Sequence, residues 1–443
     1  MPNPITPPLD IPTGWRPVSD ILPLGEDTKI AQNYDWLVVG AGITGLSSAR
    51  RLAELRPDDS ILLVDARPVG WGASGRNSGF LLDLPHKFDF DKLDLVRLER
   101  ITRLNRTAIS DLRELVQNEN ISCDWSETGK LQGAVKSRGT GMLRKFCEAL
   151  DFIDEPYETL DRESCHEIMG TDYYAGAVYT RGCVLVDPFA LVRGLAASLP
   201  KNVDLADDAA VTLFGPNATG FGATLKRSTG ETQEIHAHQV ILATDPYTSG
   251  FGYLKNRILP TITFASITRP LTKKERAGYQ GRMNWGLTPA DAAGTTLRMT
   301  ADGRLLIRNH YAHAPQFKSR DADLAKARED HRIGIDKRFP QFSHVPFTST
   351  WGGVVSLSRN HATFFGELAS GVYSANCYNG VGMTRGAISG RLLADLATNT
   401  QSTLLDDIRS VSGKPSILPP EPFLDMGART RMRLAEWESQ SEK

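Results

Sequence analysis

Short apolar runs alternate with helically spaced stretches from about residue 34 onward. Tyr34-Asp-Trp-Leu-Val-Val39 is apolar along most of its length, the pattern of a strand covered on both faces. Thr44 to Leu55 places Leu46, Ala49, Leu52 and Ala53 on one helical face, and Pro57-Asp-Asp59 then breaks the helix. Ser60-Ile-Leu-Leu-Val64 predicts a second buried strand, so the segment reads as a βαβ unit and the chain as an α/β protein.

Beyond it the pattern changes. From about 86 to 172 charge and helical spacing increase, as in Leu93 to Leu115, with a strand-like piece from Gly129 to Val135. Two hairpins are predicted further on. Gly222 to Arg227 runs against Glu234 to Leu242 through Ser228-Thr-Gly230, and Thr296 to Thr300 runs against Arg304 to Arg308 through Ala301-Asp-Gly303. The first 33 residues hold Pro2, Pro4, Pro7, Pro8, Pro12, Pro17 and Pro23, which favours extended chain wrapped on a surface. After Pro415, Pro419, Pro420 and Pro422 a charged helical tail is expected from about 427.

Composition narrows the function. With 51 Lys plus Arg against 52 Asp plus Glu among 443 residues, no net field would attract nucleic acid or an anionic membrane, so a small-molecule partner is expected. The five cysteines (Cys123, Cys147, Cys165, Cys183, Cys377) are scattered and form no Cys-x-x-Cys pair, which argues against a disulfide framework or a zinc site. The N-terminal residues lack a basic region followed by an apolar stretch, and no transmembrane segment is apparent, so a cytoplasmic location is expected.

The chemistry is carried by Gly40-Ala-Gly42-Ile43-Thr44-Gly45, which lies between the first strand and the first helix. There Gly40 permits a tight turn, Gly42 lets the backbone approach a pyrophosphate, and Gly45 lets helix and strand pack closely. Asp65, followed by Ala66 and Arg67, ends the second strand about twenty residues past Gly45, where an acid accepts hydrogen bonds from a ribose diol. An acid there fits FAD or NAD alike. Gly72-Ala73-Ser74-Gly-Arg76-Asn77-Ser78-Gly79 is a run of small residues suited to backbone threading beside a large planar cofactor.

These two segments together resemble the D-amino-acid oxidase/glycine oxidase superfamily of flavoproteins, and within it the branch of gamma-glutamylputrescine oxidase and bacterial L-pipecolate oxidase. Later segments are similar as well: Val240 to Tyr247 with Ala243 and Thr244, Trp351-Gly-Gly353, and Cys377-Tyr378-Asn379-Gly380-Val381-Gly382-Met383-Thr384. The last opens a helix predicted from Arg385 to Asn399, whose N-terminus can face the flavin. The resemblance implies a Rossmann-like FAD-binding domain assembled from 34–85, 173–248 and 351–412. It also implies an α+β substrate domain with a mostly antiparallel sheet from 86–172 and 249–350, with arms at 1–33 and 413–443. It further implies oxidation of a C–N bond in a small amine or amino acid, with hydride passing to FAD and an imine then hydrolysed.

Candidate catalytic residues are Arg308, His310, Tyr378 and Asn379. Arg298, with Phe80 and Tyr311, is a candidate for binding substrate, an arginine being suited to clamp a carboxylate. For the hairpin residues the alternative is an exposed strand side chain, and for the aromatics plain core packing. Sarcosine oxidases of the superfamily attach FAD through a cysteine in the segment resembling Trp351 to Phe365. None stands there, so non-covalent FAD is expected, with Cys377 the remaining candidate for a link. Those oxidases also use a lysine near the flavin for reaction with oxygen, where this chain offers arginine, so oxygen and a respiratory acceptor both stay open. A nicotinamide dehydrogenase would not need the Gly72–Gly79 run, an aromatic hydroxylase would show a late Gly-Asp pair, and a non-catalytic FAD-binding subunit would show no substrate-dependent bleaching.

Overall fold

The computed structural model describes residues 4–8, 10–85, 93–291 and 293–442, so Pro2 of the arm and the first residues of the stretch beginning at 86 lie outside it. Asn33–Val39 pairs in parallel with Ile61–Val64 on one side and Thr232–Leu242 on the other, with Val38 opposite both Leu63 and Ile241. Val203–Ala206 and Val372–Asn376 extend this parallel sheet at its two sides, and Phe364–Ala369 lies beyond the latter. The core strands are apolar almost throughout because both faces are covered.

The first predicted hairpin belongs to the same sheet. Gly220–Arg227 runs antiparallel to the first half of Thr232–Leu242, whose last three residues pair instead with Val372–Ser374. Helix Ile43–Leu55 lies against this sheet and packs on helix Gly382–Ala397, with the Ser48 hydroxyl 2.9 Å from the Gly390 carbonyl. The latter helix starts three residues earlier than its sequence pattern predicts.

A second sheet runs in the order Phe347–Leu357, Leu259–Thr268, Leu305–His313, Thr296–Met299, Trp285–Pro289, Lys130–Ala134, Gly176–Thr180, Glu158–Leu160. All its pairings are antiparallel except that of Trp285–Pro289 with Lys130–Ala134. Strands alternate sides with a period of two. In Leu259–Thr268, Ile262 and Phe264 pack against Leu324 and Ala327 of helix Asp321–Arg338, while Thr261 and Thr263 face the opposite way.

Two strands of the second sheet reach into stretches expected for the FAD-binding domain: Gly176–Thr180, and residues 351–357 of Phe347–Leu357. The reason is backbone pairing: Gly176–Thr180 bonds to Lys130–Ala134, and Phe347–Leu357 follows Leu259–Thr268 along its whole length.

The N-terminal arm is extended but does not simply lie on the surface. Trp15 is 2 % exposed and packs with Ile267 and Trp351, and its Nε1 donates to the Asn77 carbonyl at 2.9 Å. Trp351 Nε1 donates to the Arg76 carbonyl at 2.9 Å, so two indoles pin the glycine-rich loop from one side. The C-terminal helix, Phe423–Glu438, begins four residues before its predicted start and packs on the outer side of strand Leu305–His313. Among the described residues no helix is long and apolar enough to cross a membrane.

Trp351→Ala would remove a fully buried ring and its hydrogen bond and should cost about 3–5 kcal/mol in urea unfolding. Trp351→Phe should cost less. A loss under about 1 kcal/mol for the alanine variant would show that the two-indole pin carries little of the fold's stability.

Candidate active site

The carboxyl ends of the parallel strands open into a cavity of about 410 Å³, roofed by the second sheet. This is where open α/β sheets bind ligands. Gly40 holds a φ of +103°, and a Cβ on it would stand 2.5 Å from the Ala243 carbonyl oxygen. A Cβ on Gly45 would stand 1.7 Å from the Gly40 carbonyl oxygen, so only glycine lets the helix begin this close to its strand. Gly40, Gly42, Ile43 and Thr44 line the cavity, whereas Gly45 lies behind them as a packing residue.

Asp65 lines the cavity beside them. One of its oxygens accepts from the Ala41 amide at 2.8 Å and the other from the Arg67 amide at 3.0 Å. Desolvation is the larger influence, reinforced by nearby Asp207, and raises its carboxyl to about 6 despite those donors and Arg67. Ala66 and Arg67 line the same wall.

The loop from Gly72 to Ser78 is fastened to the helix start. Ser74 Oγ accepts from the Ile43 amide at 3.0 Å, and Asn77 folds back to donate to the Ala73 and Ser74 carbonyls and accept from the Gly79 amide. Gly72, Ala73, Ser74, Arg76, Asn77 and Ser78 line the cavity, while Gly79 does not. Arg76 donates through Nε to the Gly352 carbonyl and through Nη2 to the Ile11 carbonyl, and its Nη1 is buried with no hydrogen-bond partner. Burial draws its guanidinium down to about 10. A buried cation in a cavity wall, with no carboxylate in ion-pair range among the described residues, fits the anionic parts of a dinucleotide.

The other strand-end segments converge here too. Ala243 and Thr244 line the cavity, and Gly352 does so in place of the expected Gly353. Gly380, Val381, Gly382 and Met383 line it at the start of helix Gly382–Ala397, whose first amides are free for an electron-rich group. Thr384 instead donates to the Leu82 carbonyl at 3.0 Å and faces away.

The catalytic expectations fare unevenly. Arg308 lines the roof, with Nη2 donating to Thr296 Oγ1 at 3.2 Å and its guanidinium 5.6 Å from the Tyr311 ring centroid. It makes no ion pair among the described residues. Tyr311 and Phe80 also line the cavity. Tyr378 and Asn379 reach the cavity wall, but their polar ends are engaged elsewhere. The Tyr378 hydroxyl lies 2.9 Å from Thr44 Oγ1, and burial pushes its ionisation up. Asn379 Oδ1 accepts from the Ser358 amide and Nδ2 donates to the Cys377 and His361 carbonyls, fixing the loop.

His310 and Arg298 do not line the cavity. A bulge between Phe264 and Ala265 sets Arg308 opposite Ala265 and His310 opposite Phe264. Residues 308 and 310 therefore do not share one face of the strand, and His310 lies outward, 3.2 Å from Glu436. Arg298 is 1 % exposed; its Nη1 donates to the Ser78, Gly79 and Val186 carbonyls and its guanidinium lies over the Trp15 ring. It stitches the glycine-rich loop to the second sheet.

Several lining residues carried no expectation. Thr261, Thr263 and Thr296 were foreseeable from strand alternation beside the roof, whereas Ile5 to Pro8 and Asp10 of the arm had no sequence signal.

Residues 35–396 match the family model described as "DAO: FAD dependent oxidoreductase". The gamma-glutamylputrescine oxidoreductase of Escherichia coli K12 is 27% identical over 378 residues, covering 82% of this chain and 83% of that one. The crystal structure of glycine oxidase from Geobacillus kaustophilus superposes with a TM-score of 0.71 at 18% identity, covering 86% of this chain and 98% of that one. L-Proline dehydrogenase from P. horikoshii gives 0.67 at 17% identity over 85% of this chain and 96% of its own. At these identities the two structures speak for the fold alone.

With Asp65 as the expected partner of the FAD ribose, cofactor affinity should depend on pH. Ribose hydroxyls donate to the carboxylate form, so FAD affinity measured by fluorescence titration should rise with pH up to about 6 and level off above. For the cofactor-free protein the sign is opposite: the folded state keeps this proton after the unfolded chain has lost it, so Asp65 contributes less stability as pH rises from about 4 to about 6. Asp65→Asn should weaken FAD about tenfold and flatten the affinity profile. A profile unchanged by that substitution would remove Asp65 from the cofactor site.

Proposed function

The chain belongs to the DAO family of FAD-dependent oxidoreductases, FAD is its cofactor, and from that membership we propose that it oxidises the C–N bond of a small amine or amino acid carrying a carboxylate. A secondary-amine amino acid is the preferred reading. The observation that carries it is Arg308, a roof cation that lines the cavity and has no carboxylate partner among the described residues.

Bound FAD supplies the acceptor for the hydride that leaves the carbon bearing the amine. The residues of the chain do the rest. Arg308, braced by Thr296 and by the face of Tyr311, offers its guanidinium to the substrate carboxylate. Phe80 and Tyr311 form apolar wall beside it and exclude water from the reacting carbon. The amine must be neutral to react, yet with a pKa near ~10 only about one part in a thousand is so at neutral pH. Arg308 helps here as well, because a cation close to the bound amine disfavours its ammonium form. Water then hydrolyses the imine product, and the electrons pass to oxygen or a respiratory acceptor.

The name of one relative is in keeping with this substrate class, gamma-glutamylputrescine being an amine. We also propose that FAD is held without a covalent bond. Cys377 is fully buried, does not line the cavity, and burial pushes its thiol up to about 12, which removes the reactive thiolate.

Arg308→Met should lower kcat/KM for the preferred amino acid by about a hundredfold or more, chiefly through KM. The corresponding amine without its carboxylate should change by less than about threefold, and Arg308→Lys should fall between. Equal losses on the two substrates would contradict the clamp.

A further inference from the structure

The N-terminal arm meets the cavity where the cofactor motif predicts an adenosine. Ile5, Thr6, Pro7 and Pro8 line the same cavity as Asp65 and Arg67, although the arm precedes the segment shared with the family. It is held by arginines of the two cofactor segments. Arg67 donates through Nε and Nη2 to the Pro7 carbonyl at 2.9 and 2.6 Å, and Arg76 donates through Nη2 to the Ile11 carbonyl at 2.5 Å.

The arm also joins the two sheets. Asp10 accepts from the Ser319 amide at 2.9 Å, in the loop before helix Asp321–Arg338. On the other side Ile5 lies so near Gly250 that a Cβ there would stand 2.8 Å from its amide nitrogen. Pro4, Pro7, Pro8 and Pro12 pre-set an extended backbone, so ordering this short stretch costs little entropy, and carbonyls are its main means of attachment. Arg76 serves two neighbours, the Gly352 carbonyl through Nε and the arm through Nη2, and its buried Nη1 is left without a partner at the cavity wall.

We infer that residues 5–8, 10 and 11 form a clasp that completes the cofactor site, covering the adenosine half of FAD beside Asp65 and slowing its release. Clasp docking and FAD binding are then linked, and each must favour the other by the same factor. The inference rests on FAD as the cofactor and is independent of which amine is oxidised, because its test reads FAD and the arm directly.

On the full-length protein, hydrogen exchange followed by mass spectrometry should show the amides of Ile5, Thr6, Asp10 and Ile11 slowing when FAD is added to the cofactor-free form. A variant lacking residues 1–11 keeps Trp15 and its packing; it should release FAD about tenfold faster or more in a fluorescence-monitored dissociation experiment. Pro7→Gly with Pro8→Gly, which keeps the Pro7-position carbonyl but loosens the backbone, should give a smaller increase and serves as the readout if the truncated chain does not fold. Arm amides that exchange equally with and without FAD would overturn the clasp. So would a release rate unchanged in a folded truncation or in the glycine variant.

Discussion

The start of helix Ile43–Leu55 sits so close to strand Asn33–Val39 that the structure depends on two absent side chains, those of Gly40 and Gly45. Because no Cβ intervenes, the helix amides and the strand ends face one point, and other pieces of the candidate cofactor site are fastened to it. Ser74 caps an amide of that helix, Asp65 accepts from the turn, Tyr378 meets Thr44, and Ser48 holds helix Gly382–Ala397. Backbone amides are fixed partial charges, so this arrangement prepares an anion site before any cofactor arrives.

Arginines divide the remaining work according to what they find nearby. Arg298 and Arg76 are buried among backbone carbonyls, and the loss of solvation draws both down to about 10. They act as struts between the glycine-rich loop and neighbouring chain, Arg298 to the region of the second sheet and Arg76 to the arm and to Gly352. Arg308 is braced by one hydroxyl and one ring face, which leaves donors for a ligand. The contrast explains why residue type alone did not separate Arg308 from Arg298 as the candidate to meet a substrate carboxylate.

Legibility in the sequence followed the range of the interaction. The βαβ unit, the fingerprint and both hairpins depend on neighbours no more than 25 residues away, and the spacing of apolar and glycine positions records them directly. The membership of Gly176–Thr180 and Phe347–Leu357 in the second sheet depends on distant pairing that leaves no local mark. His310 is turned from the cavity by one bulge that shifts register opposite Phe264, and Arg298 is held by a set of carbonyls up to 220 residues away in sequence. The arm contacts are of the same kind: proline content indicated extended chain, while its route past Asp65 is set by Arg67 and Arg76.

The central claim is that an amine bearing a carboxylate delivers its electrons to FAD in this cavity. Anaerobic mixing of the FAD-loaded protein with amines and amino acids, followed by absorbance, tests it most directly. The account predicts that the visible flavin band bleaches with at least one amino acid and returns when oxygen or an artificial acceptor is admitted. A protein that binds FAD yet keeps its flavin band with every amine and amino acid offered would contradict it.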